Sequence, residues 1–382
     1  MKISDYTNLK SKYIPVANLS CEDKGLEFWN EETAYFYYPY KLVNLMQFKS
    51  HKSNYGIDDN CFLLCDSGGF QVITGKCDYD WESSIKQQLL IGATRLFAFD
   101  TPPITKKHDA SNALFVDMAH EKTKEIIKMN IDIALKQSNY LKQNAPDRIK
   151  DFFYIMHGGS KELLDYNLEV LDEKIGIENY SKYFGGVCYG AKSPERIMFT
   201  TNLLHAREHF IKKGLPVHIL GAGAPYKMVL LVRCEMTTFD SGTALSGQTY
   251  WAWINHMGTA KSGGLVGSLN THGWPFDGQF CDCPVCRNVD YNKLLSNEET
   301  RKSVGEYIMG HNLYQMVRMT TFLNGLKKDK YTEVIQEFVS LPNDVIQALE
   351  YIDLADKEGF EVAYSKYKHF IKKDKSRQES LF

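Results

Sequence analysis

The feature that most limits the folds open to this chain is a repeated alternation. An apolar run ends in a polar or glycine-rich segment, and a helix-forming stretch follows. Phe62-Leu63-Leu64-Cys65 runs into Asp66-Ser67-Gly68-Gly69, and Arg95 to Phe99 runs into Asp100-Thr101-Pro102-Pro103. Phe152 to Met156 ends in His157-Gly158-Gly159-Ser160, and Tyr183-Phe184-Gly185-Gly186-Val187 follows. Val217 to Leu220 ends in Gly221-Ala222-Gly223, and Thr237-Thr238-Phe239 in Asp240-Ser241-Gly242. Six such units, each with its polar end at the strand C-terminus, predict an α/β fold with a parallel sheet. A (β/α)8 TIM barrel fits, because that end of the strands is where such barrels build sites. A doubly wound sheet is less well matched: no G-x-G-x-x-G opens a helix after the first strand.

Outside the alternation, residues 1–60 read as irregular and rich in aromatics, with Phe36-Tyr37-Tyr38-Pro39-Tyr40 as a docking or substrate-facing segment. Helical spacing predicts a long amphipathic helix from Ala110 to Asn144. Further helices are expected over Ser303–Gly325 and Tyr331–Tyr351, and then to about Lys372. The glycine- and cysteine-rich stretch from Trp251 to Asp290 breaks the pattern. The expected organisation is a single barrel over 1–382, a zinc-binding insertion within it at 251–325, and C-terminal helices with a basic tail at 326–382.

Composition narrows the function classes. The 382 residues carry a net charge of −2, so any nucleic-acid partner must be held by a local patch rather than by a global positive field. Six of the nine cysteines are scattered, without a disulfide-like framework. The N-terminus lacks an apolar signal region, and no apolar run reaches membrane-spanning length. A reducing cytoplasmic setting without a membrane partner is the expectation.

The other three cysteines form Cys281-x-Cys283-x-x-Cys286. Thiolates at that spacing wrap one small cation, and zinc in a structural site takes four ligands. Spacing leaves the fourth open among His256, His272 and His311. Three thiolates and one imidazole would leave no vacancy, so the metal is expected to be structural. Asp66 alone reads equally well as a turn cap or as a carboxylate facing a cleft.

Taken together, Asp66-Ser67-Gly68-Gly69-Phe70-Gln71, Phe99-Asp100-Thr101, Gly185-Gly186-Val187, Leu220-Gly221-Ala222-Gly223, Phe239-Asp240-Ser241 and the cysteine motif with His311 resemble the tRNA-guanine transglycosylase family. The resemblance covers roughly residues 60 to 320. It implies a zinc-containing (β/α)8 barrel, a pentosyltransferase that exchanges guanine for a 7-deazaguanine without cutting the strand. In that reading Asp240 is the nucleophile on the sugar and Asp66 the general acid/base. Asp100, Ser67 and the Gly186 backbone bind the purine edge, and His157 stands where the family has Gln. Phe70 and Leu220 sandwich the faces of the base, Gly221 is a further substrate-binding residue, and Cys281, Cys283, Cys286 and His311 bind Zn2+.

The chemistry needs those residue types. Glycosidic cleavage develops positive charge on the anomeric carbon, which one carboxylate can stabilise and then trap covalently. A purine leaves well only when protonated, so a second carboxylate is required. Exchange rather than hydrolysis demands that water be kept from the intermediate.

The chain departs from the tRNA-acting pattern after the nucleophile. Ser241-Gly242-Thr243-Ala244-Leu245-Ser246-Gly247 contains no arginine, the residue that reads bases bidentately. The first sixty residues also differ, and no appended RNA-binding domain is evident. These departures match the branch that inserts 7-deazaguanines, such as preQ0, into DNA in bacteria or phage-infected hosts. That branch brings into view an ATPase- or helicase-like partner and a homodimer. A tRNA-guanine transglycosylase is the alternative within the family, and a non-catalytic nucleic-acid-binding partner subunit is the alternative from another class.

Overall fold

The computed structural model describes residues 8–17, 20–108, 113–117, 119–190, 195–245, 252–254, 266–268, 281, 283–288 and 301–371. Strands β1 (Lys12–Pro15), β2 (Tyr40–Val43) and β3 (Phe62–Cys65) come first, followed by helices α1 (Gly69–Ile73) and α2 (Trp81–Ile91). Next are β4 (Arg95–Phe97), a hairpin of β5 (Ile104–His108) and β6 (Ala113–Asp117), and α3 (His120–Asn144). Then β7 (Phe152–Met156), α4 (Lys161–Ile175), β8 (Gly186–Tyr189), α5 (Arg196–His209), β9 (Val217–Ile219), α6 (Pro225–Arg233) and β10 (Thr238–Ser241) alternate. The antiparallel pair β11 (Ala252–Ile254) and β12 (Val266–Ser268) precedes α7 (Arg301–Asn324), α8 (Tyr331–Phe338), α9 (Asn343–Glu358) and α10 (Phe360–Tyr367).

The main sheet has eight strands in hydrogen-bonding order β1-β10-β9-β8-β7-β4-β3-β2, and a parallel bridge between Val16 and Leu42 joins the two ends of that order. The fold class is therefore the (β/α)8 barrel, with β5 and β6 as an inserted hairpin. Buried runs such as Leu63-Leu64-Cys65 and Phe152 to Met156 suit strands covered on both faces.

The chain divides into two compact units. One comprises Met1–Asp66, Leu89–Arg95 and His218–Leu349, and the other Ser67–Gln88, Leu96–Val217 and Glu350–Phe382. In the first unit, Tyr13, Trp29, Tyr38 and Phe239 are buried. In the second, Phe152, Tyr154, Tyr180 and Phe184 form an aromatic cluster, with ring centroids 5.1–5.8 Å from Phe184. Helix α3 buries Ile127, Ile131, Ala134, Gln137, Ser138 and Leu141, an i, i+3/i+4 stripe.

Four expectations from sequence need correction. β1 and β2 lie in the stretch read as irregular, because each is only four residues long and no α-helix follows either of them. Phe36, Tyr38 and Tyr40 are core residues, with exposures of 8%, 1% and 7%. The segment read as the start of the long helix is in part a hairpin: Ala113-Leu114-Phe115-Val116-Asp117 pairs antiparallel with Ile104–His108, and the helix begins at His120. The single helix expected over Tyr331–Tyr351 is two, interrupted around Pro342, whose ring cannot continue a helix. Among the described residues, no helix is long and apolar enough to cross a membrane. Most of 251–290, including His256 and His272, and the tail beyond 371 lie outside the described residues.

Candidate functional site

Within the second unit, Asp100 follows β4 and is held from both sides. Ser67 Oγ donates to Oδ1 at 2.8 Å and the His157 Nε2–H donates to Oδ2 at 2.7 Å. All three residues are buried, with Ser67, Asp100 and His157 exposed by 1%, 6% and 8%. Each carboxylate oxygen has two lone pairs, so Asp100 can still accept from another pair of donors. A purine edge carrying an N–H beside an amino group offers such a pair.

Neighbouring helices fix this arrangement through amide side chains. Gln88 on α2 accepts from Phe97 N at 2.8 Å and donates to Phe97 O at 2.9 Å. Gln137 on α3 accepts from Phe99 N at 2.7 Å, and Asn130 accepts from Thr101 N at 2.9 Å and donates to its carbonyl at 3.0 Å. These amides pair backbone groups of Phe97, which ends β4, and of Phe99 and Thr101 just beyond the strand. Asn167 on α4 donates to His157 O at 2.7 Å and accepts from Tyr154 OH at 2.8 Å. Burial, and then the nearby Asp100 charge, push the Tyr154 phenol well above its usual range, so it stays a neutral donor. Gly69 packs its backbone onto Asp100: a Cβ there would lie 1.9 Å from the Asp100 carbonyl oxygen.

Within the first unit, Asp240 is the penultimate residue of β10. Its Oδ1 accepts from Gly221 N at 2.9 Å and from the His218 Nε2–H at 3.1 Å. Because a carboxylate only accepts, His218 carries its proton on Nε2, and Nδ1 accepts from the Thr238 hydroxyl at 2.9 Å. The turn after β9 wraps the same residue, with Ala222 N and Gly223 N both donating to Asp240 O at 3.0 Å. Gly221 adopts φ +65°, a left-handed conformation that suits glycine. Among the described residues, Asp240 Oδ2 accepts no hydrogen bond, so one oxygen is fixed and the other is free for chemistry. Asp66 follows β3 and is half-buried, and its N–H donates to Val43 O at 3.0 Å.

The first unit also holds the candidate metal centre. Cys281, Cys283, Cys286 and His311 each offer a ligand atom, all within 4.8 Å of one another. His311 Nδ1 is 3.3 Å from Cys286 Sγ and 3.6 Å from Cys283 Sγ. Ligands about 2.0–2.3 Å from one tetrahedral ion stand about 3.3–3.8 Å apart, so the donor set fits a small cation. The His311 Nε2–H donates to Ile254 O at 3.0 Å, which leaves Nδ1 as the lone pair facing the sulfurs. Hydrogen bonds from Cys283 and then Cys286 hold the Cys281 thiol far below the usual thiol range, while the same contact pushes Cys283 up to about 12, so without a metal one thiolate is shared among protonated neighbours. The cluster can hold a metal ion, and His311 is the described histidine placed to complete it.

Several sequence-expected residues fall elsewhere. Gly186 opens β8 at the strand's N-terminal end. Its carbonyl accepts from Tyr180 OH at 3.0 Å, and a Cβ on it would meet the Phe153 ring, so it is not grouped with Asp100. Gly190 stands level with His157 instead, its Cβ position 3.2 Å from His157 Nδ1. Gly221 donates its N–H to Asp240 Oδ1. Phe70 on α1 and Leu220 after β9 are both half-buried. His218, Asn130 and Gln137 were not singled out from sequence; the polar residues inside the apolar stripes of β9 and α3 are the signal that marks them.

With this geometry in place, comparison with known proteins decides the family. The family model described as queuine tRNA-ribosyltransferase (TGT) matches residues 7–342. The chain belongs to that family. It is 22% identical over 301 residues to a tRNA-guanine(15) transglycosylase of Saccharolobus solfataricus, covering 75% of this chain and 54% of the relative. It is 24% identical over 282 residues to a queuine tRNA-ribosyltransferase of Methylacidiphilum infernorum, covering 66% of this chain and 69% of the relative. The chain thus spans about half the length of the archaeal TGT relative it matches.

Proposed function

We propose that this TGT-family chain is a base-exchange transglycosylase that replaces guanine in a nucleic acid with a 7-deazaguanine through a covalent Asp240 glycosyl intermediate. The observation that carries the reading is the asymmetric hold on Asp240, with Oδ1 clamped by His218 and Gly221 and no hydrogen bond to Oδ2 among the described residues. Oδ2 attacks the anomeric carbon as the C–N bond to guanine breaks, and Asp66 supplies the proton that lets the base leave. The incoming base gives that proton back to Asp66 as its nitrogen attacks the same carbon, freeing Asp240. Asp100 accepts from the purine edge, held by Ser67 and His157, while Phe70 and Leu220 cover its faces. Cys281, Cys283, Cys286 and His311 bind zinc, which supports the fold around them and takes no part in the exchange.

For the polymer, we favour DNA carrying preQ0 or a close relative as the product base. The support is the stretch from Ser241 to Gly247, which lacks the arginines that would read anticodon-loop bases. A tRNA substrate is the second reading, favoured by the tRNA named in both relatives. The test is exchange of labelled guanine and preQ0, run in parallel on duplex DNA, single-stranded DNA and unmodified tRNA. Label entering DNA alone supports the first reading, and label entering tRNA alone overturns it. Label entering neither, with intact folded protein, counts against the exchange activity itself.

A further inference from the structure

A second group of metal-ligating side chains lies in the other unit and takes no part in the chemistry above. Asp165 on α4 and His205 and His209, one turn apart on α5, each offer a donor atom within 4.8 Å of the others. His205 Nε2 is 3.2 Å from Asp165 Oδ1, and the two imidazole rings are 4.4 Å apart between centroids. Two ligands about 2.1 Å from a shared tetrahedral ion lie about 3.4 Å apart, so the first of these distances already suits joint coordination.

The surroundings also suit a metal. His205 is fully buried and its Nδ1 is 2.8 Å from Tyr189 OH, the kind of outer hydrogen bond that orients a ligating imidazole. Asp165 keeps 37% of its side chain exposed and His209 is half-buried, so an ion can enter from solvent. Among the described residues, neither ring nitrogen of His209 makes a hydrogen bond, although the ring is packed against His205. The Lys161 ammonium is the nearest competing cation. It sits 2.8 Å from Asp165 Oδ2, not Oδ1, and 3.1 Å from Glu361, so two carboxylates outweigh it.

We propose that Asp165, His205 and His209 form a binding site for a divalent transition ion such as zinc, separate from the cysteine centre and linking α4 to α5. Two imidazoles and a carboxylate are a borderline donor set that takes Zn2+, Co2+ or Ni2+ ahead of Mg2+ or Ca2+. On binding, His205 shifts its proton to Nδ1, where it donates to the Tyr189 oxygen, and Nε2 turns its lone pair to the ion.

The test uses the full chain, stripped of metal and dialysed against micromolar free Zn2+, with bound metal counted per chain by mass spectrometry. Wild type is expected to hold one more ion per chain than either His209→Gln or Asp165→Asn, both confirmed as folded by unchanged circular dichroism. With Co2+, the ion lost in these variants should carry d–d absorption but no thiolate charge-transfer band. Equal stoichiometry in all three proteins would overturn the proposal and leave a Tyr–His–Asp hydrogen-bond network only. A second ion that binds only at millimolar metal would overturn it equally.

Discussion

His218 is the sharpest place to test how Asp240 is armed. Its Nε2–H supplies one of the two hydrogen bonds to Oδ1, and the Thr238 hydroxyl fixes the tautomer that makes this possible. A hydrogen bond to a charged group contributes about 1.5–3 kcal/mol. His218→Leu removes the donor from a residue that is 0% exposed and leaves Gly221 N alone to orient the carboxylate. If that stabilisation is realised in the attacking geometry, covalent capture slows by about 10- to 100-fold, since each 1.4 kcal/mol is a factor of ten. The affinity for free base should not change, because the hydrogen bonds of His218 to Asp240 and Thr238 hold the nucleophile. The assay is the single-turnover rate of a denaturation-resistant protein–nucleic acid adduct, with the thermal midpoint recorded for each variant. His218→Gln keeps an N–H donor and should recover part of the rate. A His218→Leu protein that captures nucleic acid within about twofold of the wild-type rate would refute the positioning role. Equal losses in the Leu and Gln variants, accompanied by a lower thermal midpoint in both, would reduce it to packing.

Other expectations follow from the same geometry. Gly69→Ala places a methyl 1.9 Å from the Asp100 carbonyl oxygen and should cost about 1–3 kcal/mol in a urea melt; an unchanged midpoint contradicts the close approach. Burial lowers the Lys41 ammonium to about 7 from 10.5, so between those values the unfolded chain binds more protons and stability rises with pH. That shift corresponds to about 5 kcal/mol of preference for the neutral amine in the folded chain. Lys41→Met should therefore gain on wild type by about 4 kcal/mol as pH falls from 10.5 to 7; a gap independent of pH speaks against a depressed lysine. Chelation of a metal from the cysteine cluster should speed amide exchange at Ile254, whose carbonyl accepts from His311 and whose N–H donates to Asn312 Oδ1 at 2.8 Å. Activity lost with exchange at Ile254 unaltered would argue against a structural metal.

The sequence showed most plainly what depends on short-range pattern. Strands that end in a carboxylate or a glycine pair announced β3, β7, β9 and β10, and the three cysteines declared their cluster without help from topology. β1 and β2 were hidden because four-residue strands among aromatic residues carry too little periodicity to separate from loop. Strand β6 was absorbed into the helix after it, since Ala113-Leu114-Phe115-Val116 reads as apolar in either period. At the site, the residue types were legible but their partners were not. Gln137 touches Phe99 across 38 positions of chain, and His218 touches Asp240 across 22, so only the folded chain shows who holds whom. Gly186 illustrates the converse: a glycine pair looks alike at either end of a strand, and register with β7 is what puts Gly190 beside His157.

In the proposed exchange Asp240 carries the sugar between two bases. The most direct measurement is denaturing electrophoresis and mass spectrometry of the protein quenched during exchange on its nucleic acid, comparing wild type with Asp240→Ala and Asp66→Asn. Wild type should give an adduct whose attachment maps to Asp240, Asp240→Ala should give none, and Asp66→Asn should slow base departure. An adduct that persists in Asp240→Ala, or one that maps to Asp66, would contradict that role.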